Sequence, residues 1–199
     1  MITDVHTKLL TSDEFWDRYG DQEEFADGLR LHYELINGEA VDDPMPMPIH
    51  GRLQKRLIRW IDTFLDDHPL GEVFGEVHCK VSRKDTFVPD VLYVSAARLA
   101  PLNLNKPFPL APDLAIEIIS PDNRADQTQE KIDAYLANGT QQGWVVYPAS
   151  EEVIVHYTDR TARTFIIGEV LTPQDLLPGL IIPVADLFAL PTPFSGDQA

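Results

Sequence analysis

Val88-Pro89-Asp90-Val91-Leu92-Tyr93-Val94 and, after a proline-spaced loop, Asp113-Leu114-Ala115-Ile116-Glu117-Ile118-Ile119-Ser120-Pro121 decide how the chain is read. Each run is short and strongly apolar, as a buried strand is. Each also carries one carboxylate, Asp90 or Glu117, where such a strand calls for hydrocarbon. An ionised carboxylate in apolar surroundings costs on the order of several kcal/mol unless a positive charge lies beside it. Two of them on neighbouring strands point to a shared cation. Alternation puts Asp90 on one face with Val88, Leu92 and Val94, directed at a core. Asp113 begins its run and is expected to face solvent.

Towards the C-terminus, Ser120-Pro121-Asp122-Asn123 ends the second run and prepares a helix over 124–138, closed by Gly139. Ala125, Thr128, Ile132, Tyr135 and Leu136 form its packed side. Lys131 borders that stripe one turn before Tyr135 and can turn inward. With the strand at 143–147, residues 113–147 make a strand–helix–strand unit, which favours a parallel, right-handed crossover. Residues 152–157 and 161–167 read as an antiparallel hairpin. The tail carries Leu176-Leu177 and Leu180-Ile181-Ile182, read as exposed apolar surface, and a helical turn at 184–188.

Towards the N-terminus, 71–81 alternates as one long strand and forms a hairpin with 87–94. A helix over 50–66 has the apolar stripe Leu53, Leu57, Ile58, Ile61, Phe64 and Leu65. Its polar side carries Arg52, Lys55, Arg56 and Arg59, either a solvated face or a contact for phosphate or for a partner's acidic surface. His50 opens this helix beside the proline loop; it could approach a site, but such a histidine is more often a cap or surface residue. Asn37-Gly38 between alternating runs marks a further hairpin. There Glu34 shares a face with Arg30, His32 and Ile36, opposite Leu31, Tyr33 and Leu35, and reads as a solvent-facing strand residue. Residues 11–20 read as a short helix packed through Phe15, Trp16 and Tyr19.

The chain has 199 residues, 44% of them hydrophobic, enough for one well-buried domain. The expected division is an N-terminal helical extension (1–28), a single domain (29–190) and a flexible tail (191–199). The lone Cys79 excludes an internal disulfide and favours a reducing compartment. No apolar run approaches the roughly 20 residues of a bilayer span, and the N-terminus lacks the pattern of a signal peptide. A cytoplasmic protein with no membrane partner is expected. Sixteen Lys and Arg stand against 32 Asp and Glu, a net charge of −16. Such a field repels nucleic acid at long range, so a nucleic-acid role needs a local basic patch or a metal. No spaced Cys/His set for zinc, glycine-rich phosphate loop or G-x-S-x-G elbow is present. His78 and Cys79, adjacent on a strand, point to opposite faces.

The hard oxygens of Asp90 and Glu117 suit Mg²⁺ or Mn²⁺, which keep several waters and take one or two protein carboxylates. A metal so held activates water and offsets charge on a phosphoryl group. Lys131 could then polarise that water or hold a phosphate oxygen. The same three residues could instead be a structural ion pair, and the pattern alone leaves both open.

Further motifs are Tyr33-Glu34-Leu35-Ile36-Asn37-Gly38-Glu39, His50-Gly51, Gly71-Glu72-Val73-Phe74-Gly75-Glu76, Pro89-Asp90-Val91, Trp144-Val145-Val146-Tyr147-Pro148 and Leu177-Pro178-Gly179-Leu180. Together with 111–121 and 131–135, they make the chain resemble the Uma2 family, over about 33–188. The resemblance implies an α/β (α+β) restriction-endonuclease-like fold of the PD-(D/E)xK superfamily, a mixed central sheet flanked by helices, with β-hairpins. It implies that Asp90 is the aspartate of the PD half-motif, Glu117 the acid of the second half, and Glu34 an N-terminal acid assisting the metal. The superfamily's usual lysine lies two residues after that acid. Here that position is Ile119, with Lys131 as the substitute. The implied activity is a Mg²⁺- or Mn²⁺-dependent endonuclease with nucleic acid, DNA first, as substrate, contacted by Arg52, Lys55, Arg56 and Arg59. The competing expectation is a catalytically inactive, homodimeric interaction or regulatory module that keeps the fold.

Overall fold

The computed structural model describes residues 9–19, 32–43, 47–120 and 125–190. The expected strand start at 29–31, the helix-opening run 121–124 and the tail 191–199 lie outside the described residues. Helix α1 (Ser12–Tyr19) precedes a hairpin of β1 (His32–Ile36) and β2 (Glu39–Asp43), and α2 (Pro48–Asp67) follows. Next come β3 (Gly71–Phe74), β4 (Cys79–Lys80), β5 (Thr86–Phe87), β6 (Val91–Ser95) and the single turn α3 (Ala96–Leu99). β7 (Leu114–Ile118), α4 (Ala125–Ala137) and β8 (Gln142–Tyr147) form the strand–helix–strand unit. β9 (Glu152–Tyr157), β10 (Ala162–Phe165), β11 (Val170–Leu171), β12 (Ile182–Pro183) and α5 (Val184–Phe188) complete the order.

The central sheet runs β10-β9-β8-β7-β6-β3, parallel only between β7 and β8, and a second sheet runs β2-β1-β5-β4. Asn37 and Gly38 both take positive φ (51° and 86°), as a type I′ turn requires, and they set the register Ile36↔Glu39. Helix α1 rests on this turn region through Leu10 N–H to Gly38 O and through Ser12 to the 82–85 turn.

The strands expected at 71–81 and 87–94 are not continuous. Pairing stops at Phe74↔Leu92 and resumes at Cys79↔Phe87 in the other sheet. Glu76 sits at φ 53° in the gap, and Pro89 has no N–H to give a ladder. Asp90 therefore lies at the parting of the two sheets, just before β6, rather than within a strand. There its side chain keeps 15% of its exposure instead of facing the core.

One face of the central sheet packs Val91, Tyr93, Ile116 and Trp144 under Leu53, Leu57, Ile61 and Leu65 of α2. The other packs Leu92, Ala115 and Val145 against Ile132 and Tyr135 of α4 and against Ile36, Cys79 and Phe87 of the second sheet. A Cβ on Gly143 would come within 3.0 Å of Ile132 Cδ1, so the glycine lets α4 lie close over β8. Among the described residues no helix is long and apolar enough to cross a membrane.

The C-terminal apolar segment is not an exposed surface. Leu176, Leu177, Leu180, Ile182, Leu187 and Phe188 are buried in the α2-side core, leaving Ile181 outside. Burying each such side chain is worth about 1.5–3 kcal/mol. Two arginines of α2 fasten this segment. Arg52 donates to Phe188 O at 2.8 Å and to Ala189 O, and Arg56 donates to Asp186 O at 2.9 Å and Leu187 O at 2.8 Å. These carbonyls sit at the negative end of α5, where they lack helical partners. Arg52→Ala and Arg56→Ala are each expected to lower stability by about 1–3 kcal/mol and to speed amide exchange across 182–188. Lys55→Ala and Arg59→Ala, at exposed positions, are expected to stay within about 0.5 kcal/mol of wild type. Denaturant unfolding of the four variants checks this.

Candidate functional site

On β7 the side chains alternate, so Leu114, Ile116 and Ile118 face α2 while Ala115 and Glu117 face α4. Glu117 is 7% exposed. Helix α4 presents Lys131 and Tyr135 on one face at i,i+4 spacing, and both reach the same carboxylate. Lys131 Nζ donates to Glu117 Oε2 at 2.8 Å, and the Tyr135 hydroxyl donates to Glu117 Oε1 at 2.9 Å. Lys131 also donates to Glu34 Oε1 at 2.9 Å, and that oxygen accepts the Val88 N–H at 2.7 Å. The Phe87 ring lies 5.8 Å from the ammonium, adding a favourable face.

Glu34 is thus 5% exposed and not solvent-facing. The face of β1 on which it stands is covered by α4, an element 97 residues away in sequence. Asp113, expected in solvent, is 2% exposed. Its carboxylate accepts the Ser95 N–H at the start of α3, Gln141 Nε2 and the Arg98 guanidinium, so it is a structural staple. Burial pushes its pKa up, but the Ser95 and Arg98 donors outweigh burial and hold it below the usual aspartate value.

Continued one residue past Val91↔Ile116, the β6–β7 register brings Asp90 level with Glu117. Asp90 Oδ2 accepts the Ile118 N–H at 2.6 Å, and His50 Nε2 lies 3.0 Å from Oδ1. Gln54, one turn after His50 on α2, bridges the parted strands by donating to Asp90 O and Glu76 Oε1, both at 3.0 Å. His50 is 6% exposed, neither a cap nor a surface residue. The sequence leaves His50 as a residue that could approach the site and places Tyr135 only on the packed side of its helix; the spacing, four residues before Gln54 and four after Lys131, is the signal that would have joined each to the site.

Glu34 and Glu117 therefore bond one ammonium directly, and Asp90, bonded to His50 and Ile118, lies near enough for its charge to act on both Glu117 and Lys131. Burial pushes Glu117 up to about 8; Lys131 opposes the rise, and the charges of Asp90 and Glu34 add to it. Burial alone would lower Lys131, but Glu117 and Glu34 outweigh it and hold the ammonium above its usual value. One physical reading covers both shifts: the ammonium keeps its proton, and the surplus negative charge draws in another. Tyr135 is raised well above the usual tyrosine value, by burial first and then by Glu117.

Among the described residues no group of three or more His, Cys, Asp and Glu forms a ready cage for a metal. The donor set still fits a hard divalent cation. Among the described residues each carboxylate oxygen of Asp90 and Glu117 has one protein donor and a lone pair to spare, and the surplus negative charge is what such a cation offsets. Ile119, where the superfamily's lysine would stand, donates its backbone N–H to Val146 O and packs on the α4-side core.

Removing Lys131 (Lys131→Met) leaves buried carboxylates uncompensated and is expected to cost about 3–5 kcal/mol. Tyr135→Phe removes one hydrogen bond to a charged group, at about 1–3 kcal/mol. Without divalent cations, the folded state holds a proton on Glu117 up to about pH 8, whereas the unfolded chain releases it near the ordinary glutamate value of 4.5. Stability from this group is therefore complete below the lower value and falls as pH rises through the upper one. Thermal melts in chelator between about pH 5 and 8.5 should show that decline, and Glu117→Gln should flatten it.

The chain matches the Uma2 family, described as "Putative restriction endonuclease", over residues 16–185. It is also similar to the crystal structure of a putative nuclease belonging to DUF820 from Anabaena variabilis ATCC 29413. That match has 26% sequence identity and a TM-score of 0.76, and covers 90% of this chain and 97% of that one. Among curated proteins none matches. The family match over 16–185 includes Glu34, Asp90, Glu117 and Lys131. The chain belongs to the Uma2 family, with the nuclease-like mixed sheet flanked by helices that its sequence implies.

Proposed function

We propose that the chain is a divalent-metal-dependent endonuclease that hydrolyses phosphodiester bonds in nucleic acid, with DNA as the first substrate to test. The observation that carries this reading is the meeting of Asp90, Glu117 and the Lys131 ammonium beside the ends of β6 and β7. Asp90 and Glu117 would hold the cation, Mg²⁺ or Mn²⁺. When bound, such a cation supplies an activated water and neutralises charge building on the phosphoryl group. Lys131 holds a phosphate oxygen or polarises the attacking water, and Glu34 keeps that ammonium charged and aimed. Tyr135 fixes the rotation of the Glu117 carboxylate. With Arg52 and Arg56 committed to α5, Lys55 and Arg59 are the cations of α2 left to meet a phosphate backbone, against a net charge of −16.

A second reading has its own observation. Glu34, Lys131, Glu117 and Tyr135 satisfy one another without a cation, as a structural network in an inactive homodimeric module would. The two readings separate on one set of measurements. Under the nuclease reading, calorimetry detects Mg²⁺ or Mn²⁺ binding that Asp90→Asn abolishes. Plasmid nicking then falls by about 100-fold or more in Asp90→Asn, Glu117→Gln and Lys131→Ala. Under the module reading, no variant-sensitive binding or nicking is seen, and light scattering gives twice the 22.4 kDa chain mass.

A further inference from the structure

His50 is the third residue of α2, and its ring is buried against the proposed site. Among the described residues the Asp90 carboxylate touches two protein donors. The Ile118 N–H comes from the strand that also carries Glu117, so Oδ2 is tied to the other acid's own backbone. His50 Nε2 lies 3.0 Å from Oδ1 and comes from the opposite side of the sheet. An ionised carboxylate only accepts, so Nε2 carries the proton in this contact. One donor per oxygen fixes the carboxylate plane and leaves each oxygen a lone pair for a ligand. Asp90 needs such help more than Glu117 does, because it lies in the gap between the sheets, outside any strand ladder. Gln54, one turn on, holds the backbone carbonyl of the same residue, so α2 grips Asp90 at main chain and side chain together.

We propose that His50 is a positioning residue for divalent-cation binding: its Nε2–H sets the rotation of the Asp90 carboxylate. This rests on the nuclease reading above. Partners that orient a metal-binding carboxylate typically matter by 10- to 100-fold in affinity or activity.

The test compares His50→Gln, whose amide nitrogen can stand near Nε2, with His50→Leu, of similar bulk but without a donor. Mn²⁺ binding by calorimetry, melting temperature and plasmid nicking are measured on each full-length protein. The expected result is Mn²⁺ affinity about 10- to 100-fold weaker in His50→Leu, and within about threefold of wild type in His50→Gln. Nicking at saturating Mn²⁺ should recover in both more than at limiting Mn²⁺, the mark of a binding role. Equal Mn²⁺ affinity in wild type and His50→Leu overturns the proposal and leaves the nuclease reading intact. So does loss of affinity in His50→Gln as deep as in His50→Leu. If wild type itself takes up no Mn²⁺ that Asp90→Asn abolishes, the nuclease reading falls and the proposal falls with it. Should His50→Leu fail to fold, the His50→Gln affinity alone decides: within threefold supports the proposal, and tenfold weaker overturns it.

Discussion

A buried ammonium cannot stand alone, and in this protein its partners come from distant parts of the chain. Lys131 on α4 is held between Glu34 of β1 and Glu117 of β7. Those two strands belong to different sheets. The charge thus requires the second sheet, the central sheet and α4 to close on one point, and misplacing any of them strands an ion in a medium that solvates it poorly. The Val88 N–H on Glu34 extends the same demand to the place where the two sheets part.

That parting explains why the acids of the cluster are so differently placed. Glu117 rides on a strand paired on both sides and is fixed by its ladder. Asp90 follows a proline in a gap between ladders and is fixed instead by the Ile118 N–H and by the side chains of His50 and Gln54. Each helix answers with a pair of residues one turn apart, Lys131 and Tyr135 from one face of the sheet, His50 and Gln54 from the other. Gly143, by admitting α4 close to β8, sets how far the first pair must reach.

Much of this was legible in the order of residues. A charge inside an apolar run marks Asp90 and Glu117, and the border of a helical stripe marks Lys131. The hairpin at Asn37-Gly38 and the strand–helix–strand unit follow from local chemistry and are present as read. What alternation could not reveal is which faces later elements cover. Glu34 and Asp113 sit at positions that are polar by pattern, yet each is buried because its partners arrive from elsewhere, Lys131 in one case and Arg98 and Gln141 in the other. The break of the long strands is hidden in the sequence because alternation runs on through 75–78 while the ladder between the two runs stops at Phe74↔Leu92 and resumes at Cys79↔Phe87. Arg52 and Arg56 look like a basic track from spacing alone, and only the folded chain reveals the helix end they hold.

The fastening of α5 to α2 also bears on how the protein is made. The stripe of α2 is synthesised early, but Leu177, Leu180, Leu187 and Phe188, which share its core, emerge more than a hundred residues later. Until they do, a nascent chain exposes one side of its sheet-and-helix layer, as well as arginines whose carbonyl partners do not yet exist. The domain therefore completes itself after most of its sequence has left the ribosome. In the interval, that bare layer is the surface a chaperone would have to cover.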